Sequence, residues 1–131
     1  MREFYSIPIH PRALKGIQLY NQQQYFEAHE ELELAWREEH GPIRELYRGI
    51  LQVGVAYYHI SKGNYRGGKI MLERAQRWLK PYPEVCLGID VENLRSNANL
   101  VYQTLLSTPE ENISNFITQL FKPILFSNRA K

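Results

Sequence analysis

Several features that mark particular classes of protein are rare or missing in this sequence. Cys86 is the only cysteine among 131 residues, which excludes an intrachain disulfide and a thiolate metal cluster and indicates a reducing compartment. The first residues contain no apolar core of a signal peptide, and no later apolar run is long enough to span a membrane. We therefore expect a cytoplasmic protein, or one from a similar compartment such as the plastid stroma, with no membrane contact.

An excess of charge of one sign is missing as well. The sequence has 16 Lys and Arg residues against 14 Asp and Glu residues, a formal net charge of +2. Because binding to a phosphate backbone usually requires a strong basic excess, nucleic acid is not supported as a partner. Hydrophobic residues make up 44% of the chain and charged residues 23%, which is typical of a globular protein. We expect one domain over residues 1–131.

The spacing of the hydrophobic residues predicts an all-α fold of about six helices. Boundaries are indicated by Pro11, Gly41-Pro42, Gly63-Asn64 and a capping box at residues 108–111. The predicted helices cover about residues 11–21, 24–40, 43–62, 65–80, 90–106 and 108–122, the last two forming a C-terminal part over about 90–126. The short Gly-Pro turn predicts that helices two and three are antiparallel.

Residues 25–35 and 65–75 share Tyr, Leu, Glu and Ala at a spacing of 40. This suggests repeated helical hairpins similar to tetratricopeptide repeats, with chance similarity of two amphipathic helices as the alternative. Near the end of the chain, apolar residues at helical spacing predict that the last helix docks on the domain or on another subunit, which leaves a protein partner or a homo-oligomer open. These residues are Ile113, Phe116, Ile117, Leu120 and Phe121.

The stretch YFEAHEELELAW in helix two crowds four carboxylates around one imidazole. At ~100° per residue, His29, Glu30 and Glu33 lie beside the apolar face of this helix, whereas Glu27 and Glu31 point away from it. The apolar face itself includes Trp36. The acidic stretch is therefore expected to divide into an inward group and an outward group.

The central third helix contains few polar residues, and Arg48, Gln52 and His59 fall on one stripe of it. An unpaired polar group costs about 1–3 kcal/mol when it is buried, so this stripe should face the inward group of helix two. We predict one buried polar cluster that comprises His29, Glu30, Glu33, Arg48, Gln52 and His59.

Three interpretations of this cluster are open. It can be a structural network in which Arg48 neutralises a buried carboxylate. It can be a metal site in which His29, Glu33 and His59 bind a divalent cation such as zinc, iron or manganese, although the HExxH pattern is missing and Arg48 would repel a cation. It can also be an acid–base pocket, with His29, Glu30, Glu33 and His59 as candidate catalytic residues.

The motifs of helices two to four resemble a known family, the domain of unknown function 309, over about residues 20–82. The family pattern reads F-E-x-H-E-x-x-E-x-x-W, then Q-G-x-x-Q, then H-x-x-x-G-N-x-x-G. The matching residues are Phe26, Glu27, His29, Glu30, Glu33, Trp36, Gly49, Gln52, His59, Gly63, Asn64 and Gly67. The resemblance implies an all-helical domain of antiparallel hairpins and no established activity.

Two residues, Arg48 and Glu27, do not fit both the family pattern and the helical spacing. Arg48 occupies a position where the family usually has Gln, which favours an ion pair over a metal. Glu27 belongs to the motif although helical spacing turns it outward, so we keep it, with Trp36, among the candidate site residues. The first functional hypothesis is a scaffold that binds a ligand or a protein. The second is a small metal-dependent or acid–base enzyme, hydrolase-like, that uses His29, Glu33 and His59.

Overall fold

The computed structural model describes residues 8–116 and 118–127. In this part of the chain five α-helices follow one another and pack together in sequence order. Their bounds are Pro11–Asn21 for α1, Tyr25–Glu38 for α2, Arg44–Ser61 for α3, Tyr65–Leu79 for α4 and Val91–Leu106 for α5. The prediction of an all-α fold built from helical hairpins is confirmed. Within the described residues, none of the helices combines the length and apolar character needed to cross a membrane.

The turns after α1 and after α3 have the same hydrogen-bond pattern at a spacing of 40 residues. Gln24 N–H donates to the Leu19 carbonyl at 2.9 Å, and Asn64 N–H donates to the His59 carbonyl at 2.8 Å. Each turn contains one residue in the left-handed region, Gln23 at φ 63° and Gly63 at φ 81°, as expected for a helix end of this type. The turns of the two hairpins therefore have the same geometry.

Helices α3 and α4 approach each other so closely at two glycines that any larger side chain there would clash with the facing helix. A Cβ atom added to Gly49 would lie 2.6 Å from Leu79, and one added to Gly68 would lie 2.6 Å from Ile60. These two contacts fix the antiparallel register of the helices. Because Gln52 is three residues after Gly49 and Gln76 is three residues before Leu79, the two glutamines lie opposite each other across the interface.

A short β-hairpin, not predicted from the sequence, connects α4 to α5. Strand β1, Val85–Cys86, pairs with strand β2, Ile89–Asp90, in antiparallel register. The turn places Leu87 and Gly88 at φ 55° and 78°, the geometry that joins adjacent strands in two residues. The C-terminal segment extends the pairing, since Ser127 N–H donates to the Gly88 carbonyl at 2.7 Å.

The sixth predicted helix is helical in the structure, but it is not one continuous α-helix. The described chain has two 3-10 helices there, Glu110–Asn115 and Thr118–Leu120, separated by Phe116 in extended geometry. The predicted docking on the domain is confirmed for the described apolar residues: Ile113, Phe116 and Leu120 are partly buried and pack against the core. Phe121 is buried, and its ring stacks on Tyr57 with centroids 4.4 Å apart. Position 117, part of the predicted stripe, lies outside the described residues.

Candidate functional site

On α2, His29 and Glu33 form the first part of the candidate site. His29 Nε2 lies 3.1 Å from Glu33 Oε1, across one turn of the helix. The other oxygen of Glu33 accepts a hydrogen bond from Arg37. The side chains of His29 and Glu33 are 32% and 30% exposed, so the pair lies at the edge of the core rather than inside it. Glu33 therefore contacts a basic residue on each side, His29 and Arg37, and remains partly exposed to solvent.

On α3, Arg48 is packed between two indole rings. Its Cζ atom lies 4.6 Å from the centroid of Trp36 on α2 and 4.2 Å from that of Trp78 on α4. Arg44, one turn earlier, lies 4.2 Å from the Trp36 centroid and donates from Nε to the Trp36 carbonyl at 3.0 Å. Attraction between a cation and an aromatic face favours this arrangement. The contacts hold three helices together at one point.

Glu45 supplies the counter-charge for both arginines. Its Oε1 lies 2.8 Å from Arg48 Nε and its Oε2 lies 3.5 Å from an Arg44 guanidinium nitrogen. The contact with Arg48 is an ion pair without hydrogen-bond alignment, since Glu45 Oε1 is buried and has no aligned donor. Arg48 itself makes no aligned hydrogen bond to any residue of the described chain. Its position is therefore fixed by stacking and charge, and its terminal Nη groups have no acceptor among the described residues.

A groove with a volume of about 420 Å³ opens between α2 and α3 beside this stack. Its lining is Glu33, Trp36, Arg48, Leu51 and Gln52. Two polar atoms of these side chains, Trp36 Nε1 and Gln52 Oε1, are buried without a hydrogen-bond partner. Gln76 Nε2 is in the same state, and the register places Gln76 opposite Gln52. The groove thus contains hydrogen-bonding groups that the protein itself does not satisfy.

The predicted cluster is therefore only partly formed, and it is not buried. Among the described residues no polar or charged side chain falls in the fully buried class. Glu33, Arg48 and Gln52 meet at the groove, whereas Glu30 points to solvent. The assignment of Glu30 to an inward group was wrong because the covered face of α2 lies toward Glu31 and not toward Glu30. Its buried residues are Tyr25, Ala28, Leu32 and Ala35, and Glu31, expected to point outward, is only 20% exposed and pairs with Arg12 of α1. The outward orientation expected for Glu27 is confirmed, since Glu27 is exposed.

His59 lies near the start of α4, where its contacts are with the turn that leads into that helix. Its Nδ1 is 3.4 Å from Asn64 Nδ2, and a Cβ on Gly67 would lie 2.9 Å from its ring. No hydrogen bond or ion pair joins His59 to His29 or Glu33 within the described chain. Across residues 8–116 and 118–127, no group of three or more His, Cys, Asp or Glu side chains is arranged to hold a metal ion.

Two features of the site were not predicted from the sequence. One is the contact of Trp78 with Arg48 across the α3–α4 interface, since the helical spacing of the aromatic residues favoured a core position for Trp78. A second groove of about 410 Å³ opens at the other end of α2. Phe26 and Tyr58 line it with their rings 5.8 Å apart, and Phe26 is 51% exposed.

The motifs now have a structural location. The family model described as domain of unknown function (DUF309) matches residues 13–71. This match covers slightly less than half of the chain. The match begins in α1, earlier than the resemblance had indicated, and ends within α4, so it contains α2, α3 and the turn at Gly63. A comparison with the curated proteins finds no match.

The residues that resemble the family motif serve different purposes in this fold. Asn64 caps α4, because its side-chain oxygen accepts a hydrogen bond from Gly67 N–H at 2.9 Å. Gly49 allows the close approach of Leu79. Glu33, Trp36 and Gln52, in contrast, line the groove. One part of the motif therefore builds the hairpins and another part faces the groove.

Proposed function

We propose that the protein is a binding module whose ligand lies in the α2–α3 groove. The observation that carries this proposal is the pair of unpartnered buried atoms in the groove lining, Trp36 Nε1 and Gln52 Oε1. Each such atom costs the folded protein about 1–3 kcal/mol when no partner is present. Both atoms lie beneath the groove surface, so a ligand that accepts from the indole N–H and donates to the amide oxygen removes this cost once the two side chains rotate toward it.

The composition of the groove also fits a binding site. Trp36 and Leu51 provide apolar surface, while Glu33, Arg48 and Gln52 provide a small number of polar groups. Ligand sites commonly combine an apolar wall with a few polar groups that fix orientation. The volume of about 420 Å³ is sufficient for a small molecule or for one or two side chains of a protein partner.

The test uses the two tryptophan indole N–H signals in a two-dimensional proton–nitrogen NMR spectrum. The chain has only two tryptophans, so a Trp36→Phe variant assigns both signals. The protein is titrated with four sets of small fragments: carboxylic acids, primary amides, alcohols and amines. We expect at least one set to shift the Trp36 signal in a saturable manner and to leave backbone signals of α5 unchanged. If no set shifts it, or if all sets act equally on distant residues, the proposed function fails.

An acid–base enzyme is the second candidate, because His29 and Glu33 lie 3.1 Å apart and reach solvent. A carboxylate beside an imidazole can orient it and stabilise its protonated form. This candidate predicts that the protein accelerates hydrolysis of p-nitrophenyl acetate and that His29→Gln removes the acceleration. Equal rates for the two proteins would exclude this use of the pair. The metal-dependent version additionally requires stoichiometric zinc, iron or manganese in protein purified without chelator.

A further inference from the structure

We infer that the ligand of the α2–α3 groove carries a carboxylate group and that Arg48 binds it. This inference rests on the proposed function and adds the chemical class of the ligand. It concerns Arg48, the one cationic side chain among the five residues that line the groove.

The geometry of Arg48 leaves only one part of its side chain available. A guanidinium is planar, and its N–H groups donate from the edge of the plane. The Trp36 and Trp78 rings, with centroids 4.6 Å and 4.2 Å away, pack against the planar group, and Glu45 lies beside Nε. The terminal Nη groups have no acceptor among the described residues, and the side chain is 25% exposed at the groove. A ligand can reach these two nitrogens without displacing a hydrogen bond.

The stack also holds the guanidinium in place before a ligand arrives. Arg44 lies against Trp36 and donates to its carbonyl, so the ring that packs on Arg48 is itself fixed. A free arginine side chain loses much of its rotational freedom when it forms a specific contact, and prior ordering reduces that loss. The two parallel N–H groups of a fixed guanidinium match the two oxygens of a carboxylate.

The charges around Arg48 favour a carboxylate over a doubly charged phosphate. Glu33 lines the same groove and Glu45 lies 2.8 Å from Arg48 Nε. These two acids would repel a dianion more strongly than a single negative charge. Gln52, one turn after Arg48 on α3, makes no hydrogen bond within the described chain, and its amide N–H groups provide a further donor for a carboxylate oxygen. The unpartnered Gln52 Oε1 requires a donor from another group of the ligand.

The experiment compares propionate with propionamide, two molecules of the same shape that differ in charge. Binding is measured by calorimetry and by the Trp36 indole signal, with inorganic phosphate as a third probe. We expect propionate to bind more tightly than both others, and Arg48→Gln to weaken propionate binding by about tenfold or more. Arg48→Lys keeps the positive charge but not the two parallel N–H donors, so it should weaken propionate binding as well. Arg74→Gln is the matched control, because Arg74 is exposed on α4 and makes no contact with the groove.

The source of the carboxylate is tested with a capped tripeptide, acetyl-Ala-Asp-Ala-amide, and its Asn counterpart. Tighter binding of the Asp peptide than of propionate points to an acidic side chain of a protein partner, and the reverse points to a free small acid; both support the inference. If propionamide or the Asn peptide binds as tightly as the acid, the carboxylate inference is overturned and the binding function stands. If none of the probes shifts the Trp36 signal, and the fragment titration also fails, both are overturned. The comparison of propionate with propionamide on the unmodified protein does not depend on the folding of any variant.

Discussion

The guanidinium carbon of Arg48 lies 4.2 Å from the ring centroid of Trp78, although the two residues belong to different helices. The same guanidinium packs on Trp36 of α2. Arg48, on α3, therefore connects α4 to α2. The groove lies at this connection, so the contacts that stabilise the fold also set the shape of the site.

Replacing Trp78 with Leu should lower the free energy of unfolding by about 2 kcal/mol, because a stacked cation–aromatic contact and part of the indole packing are lost. Trp78→Phe retains an aromatic face and should lose less. Urea unfolding followed by circular dichroism measures both variants. Equal stability of Trp78→Leu and the unmodified protein would show that the stack does not stabilise the α3–α4 contact.

Gly49→Ala should destabilise the protein by about 1–3 kcal/mol, since overpacking forces side chains or backbone to move. The added Cβ would lie 2.6 Å from Leu79 Cδ2 and 2.7 Å from its Cγ, with Leu79 fully buried. Gly41→Ala is the control, because its Cβ would meet only a Glu39 carboxylate oxygen at 3.0 Å, the end of a flexible side chain. The two variants are compared by thermal unfolding. A smaller loss for Gly49→Ala than for Gly41→Ala would contradict the observed α3–α4 packing.

Asn64→Ala should cost about 1 kcal/mol, the usual effect of removing a side-chain cap. The Asn64 oxygen accepts from Gly67 N–H at 2.9 Å, and alanine cannot replace it. Asn64→Asp and Asn64→Ser keep an acceptor and should retain most of the stability. Chemical denaturation measures the series, and binding of groove probes should be unchanged in Asn64→Ala. Loss of probe binding without loss of stability would assign Asn64 to the site instead of the cap.

The protein should lose stability as the pH rises above about 10. Burial raises the pKa of Tyr25, Tyr47 and Tyr82 from 10.0 to about 12, so the folded state favours the neutral phenol. This contribution is complete below the unfolded pKa near 10 and is lost as the pH rises through about 12. Urea unfolding at pH 8, 9, 10 and 11 measures the decline, and phenolate absorbance should rise together with unfolding. Constant stability up to pH 11 would contradict it.

The hairpin arrangement could be predicted because each helix carries its own boundary signals. Gly41-Pro42 and Gly63-Asn64 mark the turns, and the apolar residues of α3 recur around much of its circumference. The last predicted helix differs from the prediction because its apolar residues pack on the core from two 3-10 helices and not from one α-helix. Local spacing predicted a stripe there, but tertiary packing determines whether a stripe is buried.

The candidate site was predicted in part for a related reason. Helical spacing gives the direction of Arg48, Gln52 and His59 around α3, but it does not give the neighbour opposite each of them. Arg48 and Gln52 face the groove, whereas His59, at the far end of the same stripe, meets Asn64 of the following turn. The contact of Trp78 with Arg48 depends on the register between α3 and α4, which is set by the close contact at Gly49. The sequence of either helix alone does not predict that register.

The most direct measurement of the central claim is the location of a bound probe in the groove. Intermolecular nuclear Overhauser effects are recorded between propionate and protein labelled at its leucine methyl groups and at its tryptophan, phenylalanine and tyrosine rings. The account predicts contacts from the propionate methyl group to Leu51 and to the Trp36 ring, and their loss in Arg48→Gln. Contacts only with the Phe26 and Tyr58 rings of the second groove, or with no single surface, would contradict it.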